Sequence, residues 1–280
     1  HMMNFNHQLI AVLAAPVSFE QLQSLGIIEP KWQENLHYDG SQDRISARKD
    51  LKLGAISLAH QKLPISDASD KVSALWLAQL RKNGLNWLNV KDTVQSFLMR
   101  WRWLNQFQSH LNLPDASESS LLACAETWFA PFVGDIKSKA QLQKLDYADM
   151  LLSMLDYQQQ KLVKQCAPTH FVGPTDRRCK IRYNEERSPT VSMPMQELYG
   201  EKNTPQVGDV ERNKGIPLIL ELLSPAQRPI QVTQDLPTFW QGSYQAVQKD
   251  MKSQYPKHFW PDEPQNAAPT RKTKRHLKNS

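Results

Sequence analysis

The sequence predicts an α+β fold in three successive parts: a short β-rich segment, a helical bundle and a mixed α+β domain. Short apolar runs come first, helical spacing of apolar residues follows, and strand-like runs return after Pro168 before one amphipathic helix. We place an expression scar at 1–3, the β-rich part at 4–60, the helical module at 61–166, the α+β domain at 167–264 and a basic flexible tail at 265–280.

Composition favours a folded, cytoplasmic protein. Of the 280 residues, 40% are hydrophobic and 22% are charged, which is near the globular norm. No apolar run approaches the roughly 20 residues that cross a bilayer, so no membrane partner is expected. The opening His1-Met2-Met3 is typical of an expression scar on an excised fragment. The three cysteines form no CxxC pair and predict structural thiols in a reducing compartment.

The β-rich part shows two strand candidates, His7–Leu13 and Gln33–Tyr38, and a further apolar run over Arg44–Leu58. A short helix is expected over Ser18–Leu25, because a capping serine opens it and Gly26 ends it. Hairpins of this size are only marginally stable alone. We therefore expect the segment to complete a β-domain with further strands.

Helical spacing begins where Val72, Trp76 and Leu80 share one face, ahead of a stop at Asn83-Gly84. Asp92 is expected to cap a longer helix with two apolar stripes, the second carried by Trp103 and Phe107. A helix that is apolar on two sides is sandwiched between layers.

Strand patterns return in the last third of the chain. The segment Cys179–Tyr183 alternates, and Thr190–Met193 is short and β-like. The nearly continuous apolar run Ile216–Leu223 predicts a strand covered on both faces. Asp235 is then expected to cap one helix, whose inward face would carry these residues: Leu236, Trp240, Ser243, Val247 and Met251.

Catalytic motifs are missing from the sequence. None of the ten glycines is followed by lysine, so no phosphate-cradling loop is present, and Asp262-Glu263 lies among prolines rather than in a DExH box. No histidines or cysteines have metal-ligand spacing, and Gly242-Ser243-Tyr244 lacks the second glycine of a nucleophile elbow. We therefore predict no catalytic residue, metal site or cofactor for this chain, and expect it not to be an enzyme by itself.

Four ordered blocks carry a family resemblance: Met195–Gly200, Leu222–Leu236 (LLSPAQRPIQVTQDL), Phe239–Tyr244 (FWQGSY) and Tyr255–Pro264 (YPKHFWPDEP). This series closely resembles the C-terminal region of bacterial HrpB-type DEAH-box ATP-dependent RNA helicases. Upstream segments are similar too: Arg48–Leu58, Trp128–Gly134 and Cys166–Phe171. The loop Gly173–Arg178 departs from the family pattern, which has a Pro-Ser-Gly-Ser-like turn there.

The resemblance implies a larger parent protein that binds ATP and Mg²⁺ through two RecA-like domains. A winged helix, a helical ratchet and an OB-like β-domain would follow them, and residues 4–60 would be the end of that β-domain. It implies two partners, the N-terminal helicase core in cis and single-stranded RNA. The alternative is a protein-docking or dimerisation module without direct RNA contact.

The candidate RNA contacts are basic residues. The net charge of +6 includes five cations in the last ten residues, so the body is nearly neutral. On one predicted strand, Arg178, Lys180 and Arg182 share a face that suits phosphate contact, although a solvated face is equally consistent. The complete candidate set is Arg177, Arg178, Lys180, Arg182, Arg228, Lys249, Lys252, Lys257, Arg271, Lys272, Lys274 and Arg275.

Arg228 and the aromatic residues beside the candidate lysines each have a packing alternative. Arg228 could hold a phosphate, or could instead bind a loop carbonyl or a carboxylate such as Glu197 or Asp235. In the YPKHFWP block, Tyr255, His258 and Trp260 could stack on bases beside the lysines. Alternatively, Tyr255, Phe259 and Trp260 could pack the last helix against the sheet. Packing is the favoured interpretation of these aromatic residues.

Overall fold

The computed structural model describes residues 2–5, 8–11, 18, 21, 24, 30–53, 55–63 and 69–277. The chain divides into two compact units. The first contains His1–Gln79 and Ala130–Lys144, and the second contains Leu80–Phe129 and Leu145–Ser280. The predicted α+β class is confirmed. The domain limits drawn from the sequence remain a prediction.

The secondary structure follows a β–α–β–α order. The strands are β1 (Met2–Phe5), β2 (Gln8–Ala11), β3 (Lys31–Asp39), β4 (Arg44–Leu53), β5 (Ile56–Leu63), β6 (His170–Val172), β7 (Arg178–Asn184), β8 (Arg187–Pro194), β9 (Gln206–Asp209), β10 (Lys214–Pro217), β11 (Ile219–Leu223) and β12 (Pro229–Thr233). The α-helices are α1 (Ser69–Asn83), α2 (Asp92–Phe107), α3 (Glu118–Ala123), α4 (Ala125–Trp128), α5 (Lys139–Leu142), α6 (Tyr147–Leu152), α7 (Tyr157–Cys166), α8 (Leu236–Gln241), α9 (Tyr244–Gln254) and α10 (Lys274–Leu277).

The first unit contains an antiparallel sheet in the order β3-β4-β5, and β1 pairs with β2 in a separate hairpin. β3 contains the predicted strand Gln33–Tyr38, and the run Arg44–Leu58 is divided between β4 and β5. β2 lies within the predicted strand His7–Leu13, whose other residues are outside the described part. The predicted helix Ser18–Leu25 also lies largely outside the described residues.

Trp76 on α1 lies in the core of the first unit. Its side chain is fully buried, its Nε1 donates to the carbonyl of Ile136 at 2.7 Å, and its ring meets Tyr38 edge-on at 5.7 Å. These contacts join α1, β3 and the segment 130–144. α1 ends at Asn83, as predicted, and Gly84 then adopts φ +76°, which favours glycine.

In the second unit, α2 is buried on two sides, as the double stripe predicts. Trp101 donates to the carbonyl of Pro114 at 2.8 Å, while Trp103 stacks on Phe107 and meets Tyr183 of β7 edge-on. Both indole groups are fully buried. α2 therefore packs between the short helices that follow it and the C-terminal sheet.

The C-terminal sheet has the order β12-β11-β8-β7-β6, with β11 parallel to β8 and the other neighbours antiparallel. The prediction of one doubly covered strand over Ile216–Leu223 is wrong. β10 ends at Pro217, which has no N–H for a ladder, and β11 alternates between half-buried and buried residues. Only one face of β11 is fully covered.

The predicted single helix after Asp235 is two helices, α8 and α9. Asp235 caps α8 as predicted, because its Oδ1 accepts from the Thr238 N–H at 3.0 Å. Gly242 interrupts the helix, since glycine is unfavourable in a helix interior. Leu236, Trp240 and Met251 are nevertheless buried, as predicted, whereas Ser243 is exposed and Val247 is half-buried.

The segment after residue 264 is hydrogen-bonded to the rest of the second unit. This finding differs from the prediction of a flexible tail. Thr270 is buried and its N–H donates to the Gln196 carbonyl at 3.0 Å. The Lys274 N–H donates to the Lys257 carbonyl at 2.9 Å. Backbone pairing therefore reaches into the predicted tail, whereas Lys278 lies outside the described residues.

Candidate nucleic-acid interface

The exposed face of β7 carries three basic side chains. Arg178, Lys180 and Arg182 are exposed, while Cys179 and Ile181 between them are buried. The alternation places all three cations on the solvent side of a strand that is paired on both edges by β6 and β8. The predicted common face is present.

The three cations of β7 differ in how their charge is compensated. Arg182 donates to Ser192 Oγ at 2.6 Å and to Glu221 Oε2 at 2.9 Å. Hydrogen bonds from Ser192 and Arg182 hold the pKa of Glu221 below its ordinary value. Within the described chain, neither Arg178 nor Lys180 has a side-chain hydrogen bond or ion pair. These two are the available cations of the face.

Arg177 and Arg271 converge on one buried carboxylate rather than on solvent. Arg177 Nε lies 2.9 Å from both oxygens of Glu197, and Arg271 Nε lies 3.0 Å from its Oε2. Thr175 also donates to Glu197. Burial raises the pKa of Glu197, but the hydrogen bonds from Arg177, Thr175 and Arg271 outweigh it, so the net shift is downward. This cluster fixes the loop that departs from the family pattern.

The remaining candidates lie on other elements. Arg228 is exposed in the turn between β11 and β12, and Glu197, one of the carboxylates considered for it, is held by Arg177 and Arg271 instead. Lys252 Nζ lies 3.5 Å from Asp262. Their exposed neighbours on α9 and the segment after it are Lys249, Lys257, Lys272, Lys274 and Arg275. They are not part of the β7 face.

The YPKHFWP block packs into the second unit. Trp260 is only 3% exposed, and its Nε1 donates to the Tyr255 carbonyl at 3.0 Å. His258 Nδ1 lies 3.0 Å from Gln196 Oε1, and burial lowers the pKa of this histidine. Trp260 therefore has no open ring face for a base, which supports the packing interpretation.

A cavity of about 610 Å³ beside β7 contains basic residues that the sequence patterns did not single out. Its lining includes Arg100 of α2, Lys164 of α7 and His170 of β6, together with Arg178. Arg100 lies within a helix dominated by apolar stripes, and nothing in that helix marks it as a surface cation. Only the packing of α2 beside α7 and β6 brings these groups together.

The first unit has a second basic cleft, of about 620 Å³, that the sequence patterns also missed. It lies against the β3-β4-β5 sheet. Six basic or titratable residues line it together with Asp39: His37, Arg44, Arg48, His60, Lys62 and Lys137. Their alternation along β4 and β5 is a signal that a strand-face analysis of the β-rich part could have found.

Burial distinguishes two of the three thiols from Cys124, which is partly exposed. Cys166 and Cys179 are buried, and burial raises the pKa of Cys166 to about 11 and shifts that of Cys179 upward. No group of three or more metal-binding side chains occurs among the residues that the structure describes. Over the same residues, no helix is both long and apolar enough to cross a bilayer.

Charged groups thus lie on the open face of β7 and in shallow clefts of each unit. Residues 128–264 match the family described as ATP-dependent helicase C-terminal. The ATP-dependent RNA helicase HrpB of Escherichia coli K12 is 36% identical over 243 residues, covering 87% of this chain and 29% of that protein.

Two solved structures that resemble this chain are also HrpB proteins. The crystal structure of the E. coli DExH-box NTPase HrpB has a TM-score of 0.71 and 34% identity over 95% of this chain and 32% of that one. The crystal structure of the E. coli DEAH/RHA helicase HrpB has a TM-score of 0.62 and 32% identity, covering 82% of this chain and 29% of that one. The chain corresponds to the C-terminal region of the HrpB-type ATP-dependent helicases. It spans less than a third of the length of these relatives.

Proposed function

We propose that this chain is the non-catalytic accessory region of an ATP-dependent RNA helicase, which packs in cis on the helicase core and binds single-stranded RNA along β7. The observation that carries the RNA part is the pair of uncompensated cations on one strand face, Arg178 and Lys180. The relative with 36% identity is named as an RNA helicase, which supports RNA as the ligand.

The chemistry of such a face is contact with the phosphate backbone. Lysine and arginine displace condensed counterions from phosphates, so affinity is independent of sequence and falls steeply with salt. Base stacking by the YPKHFWP block is not expected at Trp260, because the ring of this residue is buried. We therefore expect weak, salt-sensitive and sequence-tolerant binding.

ATP turnover in this proposal belongs to the parent protein, which would hold ATP and Mg²⁺ in its RecA-like domains. A phosphate cradle needs a glycine-rich loop followed by lysine, and none of the ten glycines here precedes a lysine. The chain would act by extending the RNA path of a cytoplasmic parent protein.

The docking alternative has its own observation in the first unit. Trp32 on β3 is 47% exposed, and Ile56 on β5 is 63% exposed. Both lie towards the same end of the sheet, because Trp32 pairs with Leu51 and Ile56 pairs with Leu53. Exposed apolar residues of this kind favour a protein contact. They suit packing on the helicase core, and self-association is the competing outcome.

A paired assay on one preparation tests the proposal. Electrophoretic retention of a short single-stranded RNA at low salt is expected, while ATP hydrolysis stays at the buffer level with and without that RNA. Retention with turnover would contradict the non-catalytic assignment. No retention even at low salt, together with a concentration-dependent dimer in analytical ultracentrifugation, would favour the docking alternative.

A further inference from the structure

The basic cavity beside β7 contains an arginine whose hydrogen-bonding capacity is largely unused. Arg100 Nη1 donates to the Ala167 carbonyl at 2.7 Å, and its Nε is buried without a hydrogen-bond partner. A guanidinium carries five N–H donors. In the part of the chain that the structure describes, no carboxylate lies within ion-pair distance of Arg100.

Arg100 is half-buried, and its buried Nε is unfavourable unless an acceptor reaches it. Burial lowers the pKa of Arg100, so its charged form is poorly solvated, although arginine stays protonated. The Phe97 ring, 5.9 Å from the guanidinium carbon, gives only a weak cation–π contact. The hydrogen bond from Arg100 to the Ala167 carbonyl lies at the C-terminus of α7 and uses one N–H donor of the guanidinium. The other donors are left for another acceptor.

The groups around Arg100 add positive charge and apolar surface. Lys164 and Arg178 line the same cavity, and neither has an ion pair among the described residues. Asp176 is the one carboxylate in the lining, so three permanent cations face one anion. Val172, which is 56% exposed, supplies apolar surface beside them. Cations next to an apolar patch suit a sugar–phosphate unit better than a bare inorganic ion.

We infer that the cavity formed by Arg100, Lys164 and Arg178 binds a phosphate group of the single-stranded RNA backbone, with the adjacent ribose against Val172. This inference rests on the proposed function and extends it, because Arg178 belongs both to the β7 face and to the cavity. RNA that crosses β7 would therefore have one anchored phosphate at the end of the strand. An arginine fork at that point fixes the register of the backbone.

A matched pair of variants on α7 tests the cavity. Lys164→Gln removes a lining cation, and Lys161→Gln removes the same charge one turn earlier, from an exposed residue outside the cavity. With a labelled oligouridylate, Lys164→Gln is expected to weaken binding about fivefold, whereas Lys161→Gln changes it less than about twofold. The slope of log Kobs against log salt should fall by about 0.7 in Lys164→Gln alone.

Arg100→Gln is expected to weaken binding at least as much as Lys164→Gln. The melting curve of Arg100→Gln shows whether that variant is still folded. If it is not, Lys164→Gln still tests the cavity, because Lys164 is exposed and its replacement removes no buried packing. Equal weakening by Lys164→Gln and Lys161→Gln would overturn the cavity and leave the proposed function standing. Pyrophosphate binding that Lys164→Gln abolishes, without any oligouridylate binding, would overturn RNA as the source of the phosphate.

Discussion

Arg271 Nε lies 3.0 Å from the buried carboxylate of Glu197, across 74 residues of sequence. Arg177 approaches the same carboxylate from the loop before β7. The pair of arginines therefore joins the C-terminal segment, the 3₁₀ turn Met195–Leu198 and the start of the basic strand. The cluster holds the candidate RNA surface in place, while its own arginines are occupied.

Removing the carboxylate should destabilise the second unit strongly. Glu197→Ala leaves Arg177 and Arg271 without their shared partner, and breaking a buried pair costs about 3–5 kcal/mol. Arg271→Ala should cost less than about 1 kcal/mol, because its side chain is 46% exposed and solvent screens the pair. Urea unfolding followed by tryptophan fluorescence measures both values, and equal costs would contradict the ranking.

The same cluster makes stability depend on acid pH. The folded-state pKa of Glu197 lies below its ordinary value of 4.5, since its hydrogen bonds outweigh burial. A lowered carboxyl pKa gives stability that is complete above pH 4.5 and is lost as pH falls through the folded-state value. The midpoint of unfolding, recorded at a series of pH values from neutral downwards, should therefore decrease as the pH drops below 4.5. Glu197→Gln should show a shallower decline over the same range, and an unchanged profile would count against the cluster.

The strand and helix periods of the second unit and the basic face of β7 were predictable, whereas the charge clusters around Arg100 and Glu197 were not. Alternation along β7 and the two stripes of α2 are local, because one period places each side chain. Arg100 and Ala167 are 67 residues apart, and only tertiary packing brings them together. The run Ile216–Leu223 was wrongly predicted as one strand, because it is nearly continuously apolar. Pro217 ends β10 within this run, before β11 begins.

The thiols should react in a fixed order. Cys124 is partly exposed, whereas Cys166 and Cys179 are buried, and burial raises the pKa of Cys166 to about 11. Only the thiolate attacks an aromatic disulfide reagent, so native protein near pH 8 should release one fast equivalent. Cys124→Ser should lose that fast phase, and denaturation should expose the other two thiols. A fast phase that persists in Cys124→Ser would show that the reagent reaches Cys166 or Cys179 in the native protein, which would contradict the order.

The β7 cations should contribute unequally to RNA binding. Lys180→Ala should weaken binding about threefold to tenfold, because its charge is uncompensated. Arg182→Ala should have a smaller effect, since that guanidinium is already paired with Glu221 at 2.9 Å. Fluorescence anisotropy with a labelled single-stranded RNA gives both dissociation constants. A larger loss in Arg182→Ala would mean that RNA displaces Glu221.

The central claim, that this chain binds an RNA backbone through β7, is tested most directly by anisotropy titrations of wild type and Arg178→Ala/Lys180→Ala at several salt concentrations. We expect wild-type affinity to fall steeply with salt, and the double variant to bind more weakly with a slope reduced by about 1.4. Absence of wild-type binding at the lowest salt, or the same affinity and slope in both proteins, would contradict the claim.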